Sequence, residues 1–446
     1  MADNRLKEKD YTAESEALVA ETESLVQAQP DQLDAALERL LLLEKQTRQA
    51  ADLASTTRIL VHICRLCKQA GQWSKLNEMV TLLAKKHGQL KQAITRMVQE
   101  AMSYLSELTD AAAHMALITT LRVVTEGKIY VEVERARLTR MLAKIKEDEG
   151  DLEKAADILQ ELQVETFGSM ERREKTDFIL EQMRLCLAKH DYVRTQIISR
   201  KINTRFFSDP ANQDLKLRYY DLMIRHALHE GQHLEVCKYY RQVYDTPSIK
   251  EDEARWKEVL QNTVLFAVLA PYDNEQSDLL HRIYEDAALA KLPYYHSLVK
   301  NFITDEIMRW PRIEEYYGST LQQTSMFGAE VDGGEKRWKD LHHRIVEHNI
   351  RVVAKYYTRI TMVRLAQLLD LDHDEAEEFL CRLVVSKTVH ARIDRPAGII
   401  TFAASRDPVQ ILNDWSRDVD RLMDIVEKTT HLINKEEMVH RITRAV

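Results

Sequence analysis

Two short stretches of the chain hold residue types at spacings that could do metal or redox chemistry. HEGQH, His229 to His233, matches the H-E-x-x-H pattern, in which two histidines one helical turn apart bind zinc and the glutamate activates a water. That chemistry needs an unbroken helix and a third ligand. Gly231 falls where one helix is expected to hand over to the next, so the helix starting near Asp214 ends there and the histidines lose their common face. No further ligand follows at a recognisable spacing, and the match reads as a chance hit of a short pattern. Cys64 and Cys67 form C-x-x-C within RILVHICRLCKQAG. Redox or metal use would need a thioredoxin-like strand or a second cysteine pair; the sequence has neither, and both read as small core residues on a helix. G-x-x-x-x-G-K-[ST], G-x-G-x-x-G and G-x-S-x-G are all missing, and eleven scattered glycines offer no loop to cradle a phosphate. No catalytic, metal-binding or cofactor-binding residue is assigned, and the chain reads as non-enzymatic.

A third stretch has the shape of a nucleic-acid reader. ITMVRLAQLLDLDHDEAEEFLCRLV, Ile360 to Val384, reads as two short amphipathic helices with a tight break, the outline of a helix-turn-helix. Thr361 is placed to cap the first, whose apolar face is Met362, Leu365, Ala366, Leu368 and Leu369. The second starts at Asp372 with Glu375 as its capping-box partner and buries Ala376, Phe379, Leu380 and Leu383. The residues that would meet base edges are Asp374, Glu375, Glu377 and Glu378; from Asp372 to Val385 five carboxylates face one arginine. Affinity for nucleic acid depends on cations that neutralise phosphates, so this helix is repelled from it. Arg392 and Arg395, and the basic-aromatic segment Ser199 to Phe207, are short enough to be ordinary surface.

The elements that carry these stretches are mostly helical. Glycine and proline are scarce, 11 and 8 in 446 residues, and no proline lies between Pro30 and Pro210. Helix-to-helix turns recur around Gly71, Gly150, His190 and Gly231, at spacings of 79, 40 and 41 residues. A weaker unit near Leu108 to Ile118 would complete a period of about 40, the repeat of stacked helix pairs. The expected architecture is therefore all-α for most of the chain: residues 1–30 a helix or flexible lead-in, 31–317 a right-handed α-solenoid whose later helices belong to the next module, and 318–336 a glycine-rich loop. Residues 337–404 follow as a winged helix, Thr388 to Phe402 supplying two strands around the Pro396–Gly398 turn. Residues 407–446 form one long helix, with Asp407 as its cap and Pro408 in its first turn. Its heptad seam reads Leu412, Trp415, Val419, Leu422, Val426, Thr429 and Ile433, apolar at all but one position. That pattern suits a bundle with other helices.

The net charge of −8 argues against a polyphosphate as main ligand. Five cysteines, few and mostly isolated, fit a reducing compartment. The polar N-terminus and the lack of an apolar run of 18 residues point away from a signal peptide or a membrane span.

Repeats leading into a winged helix and a terminal helix resemble the PCI family, whose members build the proteasome lid, the COP signalosome and eukaryotic initiation factor three. The blocks LRYYDLMIRHAL, EVCKYYRQVYDTPSI, VLAPYDNEQSDLLHRIYED, MRWPRIEEYYGSTL and RIVEHNIRVVAKYYTRI are similar to the non-ATPase lid branch of that family, with the signalosome branch, or one chain shared by both complexes, as the alternative. The resemblance implies a non-catalytic scaffold of the 26S regulatory particle lid, hetero-oligomeric, found in cytoplasm and nucleus, supporting degradation of ubiquitylated proteins. Partners implied are other PCI-type lid subunits, the lid deubiquitinase pair, the ATPase ring and the outer ring of the core particle. It implies neither nucleic acid nor membrane, and no cofactor. Carried onto this chain, it makes Val389, Ile393, Ile399, Ile400 and Phe402 the winged-helix assembly edge. Leu412, Trp415, Val419, Leu422, Val426 and Ile433 become the helical-bundle interface.

Overall fold

The computed structural model describes residues 10–28, 32–108, 110–324, 326–328, 333–402 and 408–440. The chain divides into two units that meet at Glu230 and Gly231. The first is helix upon helix: α1 (Thr12–Ala28), α2 (Leu33–Gln49), α3 (Leu53–Gln69), α4 (Trp73–Lys85), α5 (Lys91–Ser103), α6 (Ala111–Thr125), α7 (Glu132–Asp148), α8 (Leu152–Gln160), α9 (Arg172–Ala188), α10 (Tyr192–Ser199) and α11 (Gln213–Glu230).

The helices α3, α5, α7, α9 and α11 begin at residues 53, 91, 132, 172 and 213, so the period of about 40 residues runs through the unit. The weak repeat expected near Leu108 is present. There α6 starts behind Asp110, whose carboxylate accepts from the Ala112 amide. The turns at Gly71, Gly150 and His190 share one mechanism. After α3 the amide of Gly71 donates to the Lys68 carbonyl and that of Gln72 to Cys67; after α7 Gly150 donates to Glu147 and Asp151 to Lys146; after α9 His190 donates to Leu187 and Asp191 to Cys186. These paired bonds are Schellman stops, which satisfy carbonyls the helix leaves open. They require a positive φ, which Gly71 (+67°) and Gly150 (+86°) adopt freely and His190 (+62°) adopts as a non-glycine. Asp151 and Asp191 then cap the next helix, accepting from the Lys154 and Arg194 amides. Between the helices Ile59, Leu60, Ile63, Leu76, Val80 and Met97 are fully buried in one apolar core.

The second unit contains α12 (His233–Tyr244), α13 (Pro247–Glu251), α14 (Glu253–Leu269), α15 (Asn274–Tyr284), α16 (Pro293–Ile303), α17 (Trp310–Gln322) and α18 (Gly334–Tyr356). Then come β1 (Arg359–Thr361), α19 (Met362–Leu369), α20 (His373–Val385), β2 (Arg392–Asp394), β3 (Ile399–Thr401) and α21 (Pro408–His440). Val264 to Leu269 of α14 are no more than 2% exposed, and the helix packs against α12, α15, α16 and α18. That C-terminal stretch, apolar all round, is core.

Three expectations change. The glycine-rich loop is shorter than 318–336, because α17 continues through Gly318 to Gln322 and α18 already starts at Gly334. A helical glycine costs only about 1 kcal/mol, and burial of Tyr317 and Leu321 on either side carries the helix on. The later repeat helices, α12 to α17, fall in the same unit as the winged helix, as expected. The sheet has three strands in the order β1-β3-β2, both pairings antiparallel, with Ile360 and Ile393 each opposite Ile400. The expected capping box at Asp372 is not formed by its side chain, whereas the Thr361 hydroxyl does cap α19 by accepting from the Arg364 amide at 3.3 Å. Asp407, the expected cap of the last helix, lies outside the described residues.

Candidate functional site

The stretches that could have done chemistry are structural. His229 lies in the last turn of α11 and His233 opens α12, with Gly231 at φ +71° between them, so no common helical face exists. His229 stacks on the Tyr192 ring, centroids 3.5 Å apart. His233 stacks on Phe266 and lies 3.7 Å from an Asp340 carboxylate oxygen; burial holds its pKa below the usual imidazole range despite that carboxylate. Cys64 and Cys67 are both buried on α3. Burial pushes the Cys64 thiol far up and that of Cys67 up to about 11, which keeps both protonated and unreactive near neutral pH. Among the described residues no three His, Cys, Asp or Glu side chains come together as a metal site.

The start of α20 presents acid. Asp374 is fully exposed, and Glu378 is exposed while paired with Arg382 at 2.9 Å. Arg395, one of the two wing arginines, is bound to Glu377 at 2.7 Å. The wing thus spends a cation on its own recognition-like helix. Of the basic-aromatic segment, Phe207 is buried and Lys201 is paired with Glu165 at 2.6 Å. The first is a core residue and the second an ordinary ion pair.

The wing residues fall into two groups. Val389, Ile400 and Phe402 are buried in the module's own core beside Ile350, Leu365 and Leu380. They hold the wing on and do not form its edge, because Ile399 and Ile400 lie on β3, the central strand. Ile393 does lie on an edge strand, β2, half-buried against the same core. Edge strands are where another chain's strand can add. Along β2 runs an open groove of about 630 Å³ lined by Cys381, Val384, Val385, Ala391, Ile393 and Pro396, with Val385 83% exposed. Sequence reasoning missed β1, since three residues with one buried side chain give no alternation to detect.

The seam of α21 is the largest unsatisfied apolar feature of the second unit. Leu412, Trp415, Val419, Leu422, Val426 and Ile433 are 39–67% exposed. None of them packs back onto the winged helix. The face is wider than the seam, taking in Ile411, Met423, Ile425 and Leu432, each at least 50% exposed. The heptad frame left these flanking residues out, although they lie within one or two positions of seam residues on a helix of 3.6 residues per turn. A two-stranded coiled coil needs only the narrow strip, whereas this breadth suits contact with more than one helix.

Residues 35–252 match the family model described as PSMD12/CSN4, N-terminal; residues 296–404 match the PCI domain; residues 410–441 match the 26S proteasome regulatory subunit RPN5 C-terminal domain. Helix pairs, winged helix and exposed terminal helix are thus those of a PCI-domain protein. The chain is 50% identical over 414 residues to the 26S proteasome regulatory subunit rpn501 of Schizosaccharomyces pombe, covering 93% of this chain and 94% of the relative. It is 46% identical over 436 residues to the 26S proteasome regulatory subunit RPN5 of Saccharomyces cerevisiae, covering 97% of each. With the 26S proteasome non-ATPase regulatory subunit 12 of Dictyostelium discoideum it shares 45% identity over 415 residues, 93% of this chain and 92% of the relative. The chain belongs to the RPN5/PSMD12 family of 26S proteasome regulatory subunits.

Proposed function

We propose that the chain is a non-catalytic structural subunit of the lid of the 26S regulatory particle. It joins other PCI-type subunits through the β2 edge of residues 337–404 and through the terminal helix. Thereby it holds the lid deubiquitinase pair, the ATPase ring and the outer ring of the core particle in register for degradation of ubiquitylated proteins. The observation that carries this reading is α21: an apolar face exposed from Val409 to Val439 has no function in a free chain and a direct one in a helical bundle. On this reading the chain works in cytoplasm and nucleus. Among the described residues no helix is long and apolar enough to cross a membrane.

A signalosome subunit is the second reading; the N-terminal match, whose description spans both branches, does not separate it from the lid. The match over residues 410–441 carries the proteasome description and lies on the bundle helix itself, which favours the lid. A winged-helix nucleic-acid binder is disfavoured by the acid at the start of α20. The test is a tagged chain ending after Phe402, expressed in cells beside the full chain. Because the α21 side chains form no part of the core, the shortened chain should fold and yet be recovered without other lid subunits. Recovery with a full set of lid subunits would overturn the bundle reading.

A further inference from the structure

In the first unit, α10 leaves an apolar stripe open to solvent. Val193 is 70% and Ile197 57% exposed, and four residues apart they lie one above the other on the helix. Among the described residues of that unit no other helix leaves two large apolar side chains so exposed. The opposite face is used in packing, with Thr195, Ile198 and Ser199 buried. Arg200 keeps helical backbone angles as the C-terminal cap of α10, so it extends the same stripe seven residues beyond Val193.

The stripe ends in cations that the fold does not neutralise. From Asp191 to Asp209 four cations stand against two carboxylates, and both carboxylates serve as caps, accepting from the Arg194 and Ala211 amides. Arg194 lies 3.3 Å from Asp191, and Lys201 is held by Glu165 at 2.6 Å. Arg200 and Arg205 are exposed, and no described carboxylate pairs with either. The acids of α8 and its C-terminal end are taken as well, Asp157 by Lys189 at 2.8 Å and Glu161 by Arg122 at 2.9 Å.

Two exposed apolar side chains followed by unmatched guanidiniums call for a partner that is apolar and then acidic. A helix face has no free backbone N–H or C=O along its middle, so an added strand would find no ladder there. A partner helix satisfies its own backbone and fits such a face. Nucleic acid fits poorly: two arginines neutralise few phosphates, and Phe207 is buried while Phe206 is half-buried, which leaves no platform for stacked bases. We propose that the face of α10 formed by Val193, Ile197 and Arg200 docks an acidic amphipathic helix of a partner protein. Its apolar side chains lie over Val193 and Ile197, and its carboxylates on Arg200 and Arg205. The inference stands apart from the lid reading, which rests on α21.

The test puts a photoreactive benzoylphenylalanine in place of Val193 in the full chain, in cells that assemble it with its partners, and identifies the linked peptide by mass spectrometry. The link should fall in a segment with acidic residues and with apolar residues at helical spacing. Arg200→Glu with Arg205→Glu should cut the yield of that link by about tenfold or more. Arg200→Lys with Arg205→Lys should largely restore it. The linked segment is identified with both arginines intact, so that result stands even if the double glutamate variant misfolds. No protein link from position 193, a linked segment that is basic or lacks apolar residues at helical spacing, a link to nucleic acid or lipid, or a yield indifferent to charge reversal would each overturn the docking site. The same photoreactive residue in place of Val419 on α21 reports the bundle separately, so loss of one link without the other tells the two readings apart.

Discussion

Placing charge on the seam of α21, through Trp415→Asp combined with Val426→Asp, should separate folding from assembly. Trp415 is 67% and Val426 51% exposed. For a tryptophan offering roughly 250 Å², that fraction is about 165 Å², worth ~4 kcal/mol on full burial at ~25 cal/mol/Å². The valine adds roughly 2 kcal/mol by the same measure. Burying two aspartates in their place costs further, and association retains only part of what area suggests. A loss of about 5 kcal/mol, between a thousandfold and ten-thousandfold in affinity, is a conservative expectation. The free chain should notice little, because exposed helical substitutions of this kind cost only about 0.5 kcal/mol each in propensity. The assay is affinity purification of the tagged variant from cells, with lid subunits counted by mass spectrometry, alongside circular dichroism and a thermal melt of the free variant. A normal melt with loss of the lid subunits is expected. A variant that melts normally and enters the complex at the unaltered level would refute the bundle argument.

Ile400→Ala, at a fully buried position on the central strand, should cost about 2–5 kcal/mol and lower the melting of the second unit. If it abolished assembly while leaving the melt unchanged, Ile400 would be a contact residue after all. The first unit should weaken in acid. Hydrogen bonds from Arg184 and Arg137 hold the Glu147 and Glu174 carboxyls below their ordinary range; burial pushes Asp177 up, but the guanidiniums of Arg140 and Arg218 outweigh it. A depressed folded pKa gives stability that is complete above the unfolded value, about 4, and is lost as pH falls through the folded one. Thermal stability should therefore drop below about pH 5, and Arg184→Gln should flatten that slope; an unchanged slope would contradict the ion-pair account. Zinc measured on the purified full chain should be substoichiometric, and a whole equivalent that disappears in His229→Ala would restore the metal reading. Binding to duplex DNA should be negligible at physiological salt, whereas tight, steeply salt-dependent binding would show that the acid on α20 does not govern that face.

Much of the helical part was legible because its signals are local. The turns at Gly71, Gly150 and His190 announce themselves by a left-handed residue followed by a capping aspartate or a glutamine, and a weak repeat could be placed near Leu108 by period alone. Gly318 misled, because a glycine inside a helix looks like a breaker until the burial of its neighbours is known. The wing was harder for a related reason. Alternation identified Val389, Ile393 and Ile400 as strand or near-strand residues, but which strand is central depends on pairing with β1, a segment of three residues more than thirty positions earlier. Burial inside the module and burial against a partner draw on the same residue types, so the family resemblance could assign Ile400 and Phe402 to the edge without the sequence contradicting it. The basic residues after α10 were legible as such, but that Lys201 finds an acid in Glu165 and Arg200 finds none among the described residues depends on the packing of neighbouring repeats.

On the function proposed above, this chain works only as a built-in part of a larger particle. The decisive experiment is to tag it, isolate it gently from its native cells and weigh the intact assembly by native mass spectrometry. One copy should be recovered with the other PCI-type lid subunits, the deubiquitinase pair, the ATPases and the core particle. Recovery as a solitary monomer, or solely with signalosome subunits, would contradict it.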